Sequence, residues 1–109
     1  MSVSHIGALR HRLVLEVATR VGDGGGGAVV TWEAVAGLWA SITPTSGTET
    51  VVADQVAGRV SHDIVIRHRS DIVPSMRFRL GSRVFEILAA LDVGERRRML
   101  RCLCREELL

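Results

Sequence analysis

The sequence predicts a mainly β protein, a small antiparallel β-barrel or sandwich with one short helix in a long insertion between two central strands. Three observations support this fold class. Apolar and polar residues alternate in five or six short segments, glycine-containing turns separate most of them, and one helix-start signal interrupts them. With 109 residues the chain can build one hydrophobic core, so residues 1–109 are expected to form a single domain.

The first predicted element is a β-hairpin. Between Arg10 and Arg20, the apolar residues Leu13, Leu15 and Val17 are spaced two apart. In a strand this spacing places their side chains on one face, which we expect to be buried. The segment 22–27 holds five glycines around Asp23 and is expected to be the flexible tip, with Ala28–Trp32 returning. A phosphate-binding loop is the alternative, but the Gly-Lys-Ser/Thr ending that such a loop requires is missing.

The next strand is expected from Ala34 to Ile42, and it is apolar on both faces. One face carries Val35, Gly37, Trp39 and Ser41, and the other carries Ala36, Leu38, Ala40 and Ile42. Such a strand is typically covered on both sides, either within a closed barrel under a helix or at a subunit contact. We therefore interpret Trp32 and Trp39 as core or interface residues rather than as a stacking platform for nucleic acid.

A long insertion, residues 43–59, is expected to follow this strand. Ser46 and Glu49 have the S-x-x-E spacing in which each side chain caps the backbone N–H of the other residue, and Pro44 stands just before them. The body of the insertion, Thr50–Ala57, contains several β-branched residues that lose side-chain freedom in a helix. The sequence therefore predicts a helix of two or three turns that is stable only when packed.

A second alternating segment, Ser61–Arg69, leads out of the insertion. One face of it carries Val60, His62, Ile64, Ile66 and His68. The two histidines could suggest a metal site, but six strand residues separate them by about 20 Å, which is too far for one coordination sphere. No metal site is therefore predicted.

The last third of the chain predicts a hairpin and a final strand. Met76–Leu80 and Arg83–Leu91 alternate around the turn Gly81-Ser82, with Phe85, Ile87, Ala89 and Leu91 on one face. The final strand, Arg96–Glu106, places Leu100, Cys102 and Cys104 on one face and Met99, Arg101, Leu103 and Arg105 on the other. The two cysteines lie about 7 Å apart on one strand face, so they are expected to be reduced core thiols.

Composition and charge narrow the function. All 14 basic residues are arginine, the net charge is +2, and the C-terminal half is basic while the N-terminal half is acidic. Such asymmetry can orient one subunit on the next or on nucleic acid, although a mixed solvated surface is the simpler explanation. The 47% hydrophobic fraction suggests further burial against partner subunits, and no apolar run reaches the roughly 18 residues of a membrane span.

No catalytic constellation is visible in the sequence. A nucleophile with a paired histidine, a motif with two carboxylates and a dinucleotide fingerprint are all missing, so we predict no enzyme activity, no catalytic residue and no cofactor. The first residues lack the apolar core of a secretory signal, which predicts that the protein stays in the cytoplasm. The residue pattern alone therefore indicates a small β domain that binds something.

Four segments carry a resemblance to a known family. GALRHRLVLE (7–16), TWEAVAGLWASITPTSGTE (31–49), HDIVIRHRSDIVPSMRFRLGSRVFEIL (62–88) and RRMLRCLCREE (97–107) follow one another in this order. Their order and spacing resemble the head-tail joining, or head-closure, proteins of tailed phages, prophages and gene transfer agents. The resemblance covers nearly the whole chain, and each motif is weak without the others.

This resemblance implies a structural connector of a virion or phage-like particle. Copies would form a homo-oligomeric ring below the portal and its adaptor, above the tail terminator or tail tube proteins, with no membrane involved. The insertion 43–59 would point into the channel that holds packaged double-stranded DNA. The channel-facing or gate residues would be Thr45, Ser46, Gly47, Thr48, Glu49, Thr50, Asp54 and Gly58.

Two further hypotheses depend on the resemblance. Glycines 47 and 58 would let the insertion alternate between an occluding and an open arrangement. Five arginines on outward strand positions would bridge to a neighbouring subunit or the adaptor: Arg67, Arg69, Arg77, Arg79 and Arg83. The alternative function is a small nucleic-acid-binding β-barrel, which salt-sensitive oligonucleotide binding would reveal.

Overall fold

The computed structural model describes residues 9–45 and 60–107, which form six antiparallel strands and one 3-10 turn. The strands are β1 His11–Gly22, β2 Ala28–Pro44, β3 His62–Arg67, β4 Arg77–Leu80, β5 Arg83–Asp92 and β6 Met99–Glu107, and the turn is Val93–Glu95. They pair in the order β1-β2-β3-β6-β5-β4, and β4 returns to β1, so the sheet closes into a barrel. The predicted mainly β, antiparallel fold is confirmed, whereas the predicted short helix lies outside the described residues.

Strand β2 is longer than the sequence predicted. The returning strand Ala28–Trp32 and the strand Ala34–Ile42 are a single element of 17 residues. A register shift of the β1–β2 pairing lies beside Leu15 and Glu16, and it leaves Val35 of β2 without an opposite residue. Such a bulge bends a strand and strengthens its twist, so one long strand can both line the barrel and leave it.

The core is built from the inward positions of all six strands. Leu13 and Leu15 of β1 meet Phe78 of β4 and Phe85 of β5 in one cluster, and each of these side chains is fully buried. The same core cluster contains nine further buried residues: Ala40, Ile64, Ile66, Ile72, Met76, Ile87, Leu100, Cys102 and Cys104. The period-two pattern of the sequence therefore identified the core face of β1, β3, β4 and β6 correctly.

The wall formed by β3 and β6 carries buried apolar side chains on both faces. Ile64 and Cys102 oppose each other in the core, while their neighbours Val65 and Leu103 lie on the opposite face and are also buried. The sequence predicted two-sided coverage for Ala34 to Ile42, but Val35 and Trp39 of that segment are 43% and 53% exposed in the described chain, so its coverage by a subunit contact stays a prediction.

Strand β5 changes its inward face part of the way along. The prediction that Phe85, Ile87, Ala89 and Leu91 share one face is wrong, because a register shift between Ile87 and Ala89 interrupts the alternation. Past this irregularity Ala90 packs against the core, and Leu91 is 38% exposed. An extra residue in a strand moves every following side chain to the other face, which no period-two pattern reveals.

The two ends of the barrel differ in shape. At one end, the insertion connects β2 to β3, and the end of β6 and the start of β5 lie next to them. At the other end, β1 and β2 continue beyond their partners, because β4 pairs with only Val14, Leu15 and Glu16 of β1 and β3 begins its pairing with β2 at Ala40. We call this projecting ribbon, residues 17–22 and 28–35, the arm.

Candidate functional site

The root of the insertion is a tightly hydrogen-bonded point on the barrel rim. The Thr45 backbone N–H donates to the Ser61 carbonyl at 3.0 Å, and the Thr45 hydroxyl donates to the Val60 carbonyl at 3.2 Å. The chain therefore leaves and re-enters the barrel at adjacent positions on β2 and β3. Of the predicted gate residues, only Thr45 belongs to the described part; Ser46, Gly47, Thr48, Glu49, Thr50, Asp54 and Gly58 lie outside it.

Ser61 connects this root to β6. Its backbone N–H donates to the Cys104 carbonyl at 2.9 Å, and its hydroxyl accepts a hydrogen bond from the Glu106 N–H at 2.8 Å. The same hydroxyl lies 2.9 Å from His62 Nδ1. Three strands, β2, β3 and β6, thus fix the two ends of the insertion against one another.

A cluster of Arg83, His62 and Glu106 lies at the same end of the barrel. Arg83 donates from Nε and Nη2 to the two carboxylate oxygens of Glu106, at 2.8 and 3.0 Å. This bidentate contact lowers the pKa of Glu106 and raises the pKa of Arg83. Because both side chains are substantially exposed, water screens the pair and limits its stabilising effect.

His62 is the partly buried member of this cluster. Its ring packs edge-on against Phe85 at 5.2 Å between centroids, and its Nε2 lies 3.9 Å from Glu106 Oε1. Burial lowers the pKa of His62, and the attraction of Glu106 offsets this only in part. The imidazole is therefore favoured in its neutral form in the folded chain.

Arg77 and Arg79 lie together over Glu16, on the outer face of β1 and β4. Glu16 is a buried carboxylate, 4% exposed, that accepts from Arg77 Nε at 2.7 Å and pairs with Arg79 Nη2 at 3.1 Å. The two arginines alternate on β4 and so point to one side, where a single anion can satisfy both. Sequence reasoning missed Glu16, although its outward position in an apolar strand was an available signal.

The remaining predicted interface arginines are dispersed. Arg69 makes a bidentate pair with Asp71 in the loop after β3, and its hydrogen bonds lower the pKa of Asp71. Arg67, at the end of β3, is exposed and forms no ion pair with any residue that the structure describes. The structure thus brings together Arg77 and Arg79 but leaves Arg67, Arg69 and Arg83 at separate places, and the interface role of all five stays a prediction.

Both tryptophans are covered by arginines of the same chain. The Arg77 guanidinium lies 3.9 Å from the ring centroid of Trp32, and that of Arg12 lies 5.5 Å from the ring centroid of Trp39. Trp39 is nevertheless 53% exposed, so it is not a core residue of this chain, and its interface role stays a prediction. An arginine of the same chain lies over one side of each ring and reduces the aromatic surface open to a base, and the nucleic-acid alternative stays a prediction.

The two cysteines are inert core residues. Both are reduced and fully buried, and burial raises the pKa of Cys102 to about 12. The Cys104 thiol lies 3.6 Å from the Cys102 carbonyl, to which it donates. A thiol that stays protonated in this way is a poor nucleophile and a poor metal ligand.

The described residues provide no metal site and no membrane-spanning helix. Across 9–45 and 60–107, no three His, Cys, Asp or Glu side chains cluster in a way that could hold a metal ion. In the same ranges no helix has the length and apolar character to cross a membrane. The notable groups of this part of the chain are its ion pairs, arginine-covered aromatic rings and the hydrogen-bonded root of the insertion.

The closed antiparallel barrel, with paired charges outside and a long insertion at one rim, defines a small structural β module. A comparison of the sequence with models of known protein families identifies the family within this class. The sequence model described as phage head completion protein matches residues 5–107, and the chain therefore belongs to the phage head completion protein family. It is a structural protein of a virion or phage-like particle and not an enzyme.

Two solved structures are similar over nearly the whole chain. A chain from the virion of a native gene transfer agent particle is 35% identical, with a TM-score of 0.68, over 92% of this chain and 96% of that chain. The solution structure of protein SF1141 from Shigella flexneri 2a is 31% identical, with a TM-score of 0.73, over 93% of this chain and 95% of that one. No curated protein matches this chain.

Proposed function

We propose that this protein is a head-tail connector, a head-closure or stopper protein that forms a ring below the portal-adaptor complex. The ring retains packaged double-stranded DNA and provides the surface to which the tail attaches. The observation that carries this proposal is the near full-length family match, together with 35% identity to a chain of a gene transfer agent virion.

The insertion is the part of the chain that would close the channel. Its two ends are held side by side by Thr45, Val60 and Ser61, so a rigid barrel wall can carry a segment that reaches away from it. The insertion contains the acidic residues Glu49 and Asp54, and Arg59 lies at its end. An acidic segment repels the phosphate backbone and does not bind DNA that must later slide past it.

The decisive experiment images particles that contain the wild-type protein or a variant in which residues 46–58 are replaced by a short Gly-Ser linker. Wild-type particles should show a ring of this protein below the adaptor, with density pointing to the axis. The variant should still enter the ring but lose packaged DNA, measured as nuclease-sensitive DNA. Absence of the protein from the head-tail junction would refute the connector function.

The switching hypothesis is tested at Gly58, one of the two glycines proposed as hinges. Gly58→Pro restricts the backbone and should impair DNA release on infection or transfer more than DNA retention. Gly58→Ala, which leaves more backbone freedom, is the matched control. Normal retention and normal ejection in the proline variant would exclude hinge motion at this position.

A further inference from the structure

The arginines of the barrel fall into two groups. Those with an acidic partner among the described residues are Arg69, Arg77, Arg79, Arg83, Arg101 and Arg105. A second group is exposed and forms no ion pair with any residue of that part: Arg67, Arg96, Arg97 and Arg98. A guanidinium group without a carboxylate contact is available to bind an anionic group outside the chain.

The fold brings this second group together at the end of the barrel that carries the arm. Arg67 is the last residue of β3 and pairs with Met99, the first residue of β6. Just before Met99, the His68 N–H donates to the Arg98 carbonyl at 3.1 Å. The segment 96–98 therefore lies directly beside Arg67, although the two are far apart in the sequence.

The connection between β5 and β6 holds its three consecutive arginines in a defined backbone conformation. Both carboxylate oxygens of Asp92 accept from the Arg97 backbone N–H, each at 3.1 Å. Gly94, Glu95 and Arg97 have positive φ values of 70°, 55° and 55°, so the chain reverses tightly between the two strands. A connection that is fixed before binding loses less conformational entropy when a partner binds.

An exposed apolar side chain lies on the same side of the barrel. Ile66 and Ala90 face the core, so their neighbours Arg67 and Leu91 face outward on β3 and β5. Strand β6 lies between these two strands and pairs with both. Leu91 is 38% exposed, and arginine beside an apolar side chain is a typical composition of protein interfaces. We call this surface the arginine face: Arg67, Leu91, Arg96, Arg97 and Arg98.

The described chain has no acidic surface that matches the arginine face. Within residues 9–45 and 60–107, the acids without an ion pair are scattered. Asp23 lies at the tip of the hairpin, Glu33 lies in the arm, and Glu107 ends β6 at the opposite end of the barrel, while Asp92 and Glu95 belong to the same connection as the arginines. A second copy therefore offers no complementary patch in these ranges. Because the family is one of particle proteins, another protein of the particle is the available partner.

We propose that the arginine face binds an acidic surface on a different protein of the particle. Guanidinium groups donate paired hydrogen bonds to carboxylates, and Leu91 adds an apolar contact beside them. Opposite charge also speeds the encounter and excludes partners of the same charge. This inference rests on the proposed connector function and adds the chemistry of the neighbour. Of the five interface arginines predicted from the sequence, it retains Arg67.

Charge reversal tests the surface. Arg96→Glu combined with Arg98→Glu should lower incorporation into particles at least about tenfold, because attractive contacts become repulsive. Arg10→Glu combined with Arg20→Glu makes the same change in net charge at two other exposed arginines and should incorporate normally. Quantitative immunoblotting of purified particles measures incorporation, and urea denaturation of the free proteins verifies that both variants fold. Normal incorporation of the first variant, or equal losses in both, would overturn the inference.

Photo-crosslinking identifies the partner. Leu91→Cys is labelled with a maleimide-benzophenone, which should leave Cys102 and Cys104 unmodified because both are buried and protonated. Irradiated particles that contain the labelled protein should yield an adduct with another particle protein, mapped by mass spectrometry to a segment rich in Asp and Glu. Replacing acids of that segment with Arg should restore incorporation of the variant with Arg96→Glu and Arg98→Glu.

Other adducts would assign the surface differently and overturn the inference. An adduct with a second copy of this chain would indicate a ring contact, and a nuclease-sensitive adduct would indicate DNA. Fluorescence anisotropy with a short duplex oligonucleotide gives an independent test, since salt-sensitive binding that the charge reversal weakens would also favour nucleic acid. The connector function fails separately, because it requires only that the wild-type protein is present at the head-tail junction.

Discussion

At the scale of single residues, Glu16 is the one charged side chain that is buried within residues 9–45 and 60–107. It lies on the outer face of β1, where the side chains of Arg77 and Arg79 shield it from water and satisfy its charge. Arg77 at the same time stacks on Trp32, so one guanidinium links the carboxylate to the base of the arm. Arg77 and Arg79, two of the five arginines predicted to contact a neighbour or the adaptor, therefore have an acceptor within their own subunit.

Replacing Glu16 should destabilise the fold. Glu16→Gln removes the negative charge that lies between Arg77 and Arg79. Because both arginines keep some access to water, the expected loss of stability is about 2 kcal/mol, below the cost of breaking a fully buried ion pair. Urea denaturation of the free protein measures this. Glu33→Gln, at an exposed position of β2, is the matched control and should change stability little. Equal stability of both variants would contradict the structural role of Glu16.

The neutral state of His62 predicts a pH dependence of stability. Burial lowers the pKa of His62 below its ordinary value of 6.5, so the unfolded chain binds a proton before the folded chain does. Stability should therefore fall as the pH decreases through 6.5 toward the folded-state pKa. The pairs formed by Glu106 and Asp71 have lowered carboxyl pKa values, and their contribution is lost only at more acidic pH.

Denaturation midpoints measured from about pH 7.5 to pH 5.5 test this. The fall should largely disappear in His62→Gln and persist in His11→Gln, a change at an exposed position at the start of β1. An unchanged slope in the His62 variant would assign the effect to other groups.

At the scale of elements, turns and bulges decide where side chains lie. In the turn between β4 and β5, Gly81 has a φ of +59°. This left-handed conformation is strained for any residue that carries a Cβ atom, so the turn favours glycine. The irregularity in β5 is less predictable, since nothing in its apolar run marks the position where Ala90 replaces Ala89 on the core face. Turn chemistry is local, whereas the position of a bulge depends on the partner strand.

Gly81→Ala should lower stability by about 1 kcal/mol, because alanine is strained at this positive φ although no atom lies within 4 Å of the added Cβ. Gly22→Ala is the matched control, since an added Cβ also finds open space there, but without a left-handed φ. Thermal or urea denaturation compares the two variants. Gly81→Asn should recover part of the loss, and a stable Gly81→Ala protein would show that the turn can change its conformation.

At the scale of the whole molecule, one long-range pairing closes the barrel. Strand β4 is only four residues long, yet it joins β5 to β1 and brings Arg77 to Glu16, 61 residues away in sequence. Closure leaves the arm and the open edge of β2 as the parts of the described chain that extend beyond the paired barrel wall. In the proposed ring, these parts are available for assembly.

The arginines differ in what they can reveal about assembly. Arg67 is exposed and has no ion-pair partner among the described residues, so Arg67→Glu should leave the subunit stable but lower its incorporation into particles at least about tenfold if this residue meets an acidic neighbour. Quantitative immunoblotting of purified particles measures incorporation. Arg67→Gln, which removes the charge without reversing it, should have a smaller effect. Normal incorporation of Arg67→Glu would remove Arg67 from the interface.

Reversal of Arg77 and Arg79 is a different experiment. It would place three carboxylates together at Glu16 and should impair folding before assembly, so failed incorporation of that variant would not by itself identify an interface.

The sequence by itself determined where most strands lie, the core faces of β1, β3, β4 and β6, and the family. Alternation identified Leu13, Leu15, Ile64, Ile66 and Phe85 as core residues, and Gly81-Ser82 marked a hairpin, because both signals are local consequences of strand geometry. Only the tertiary structure decided that β1 pairs with β4, that Glu16 receives two arginines, and that β1 and β2 extend beyond their neighbours. Those features arise from contacts between residues far apart in the chain, and no local periodicity encodes which distant strand closes a sheet.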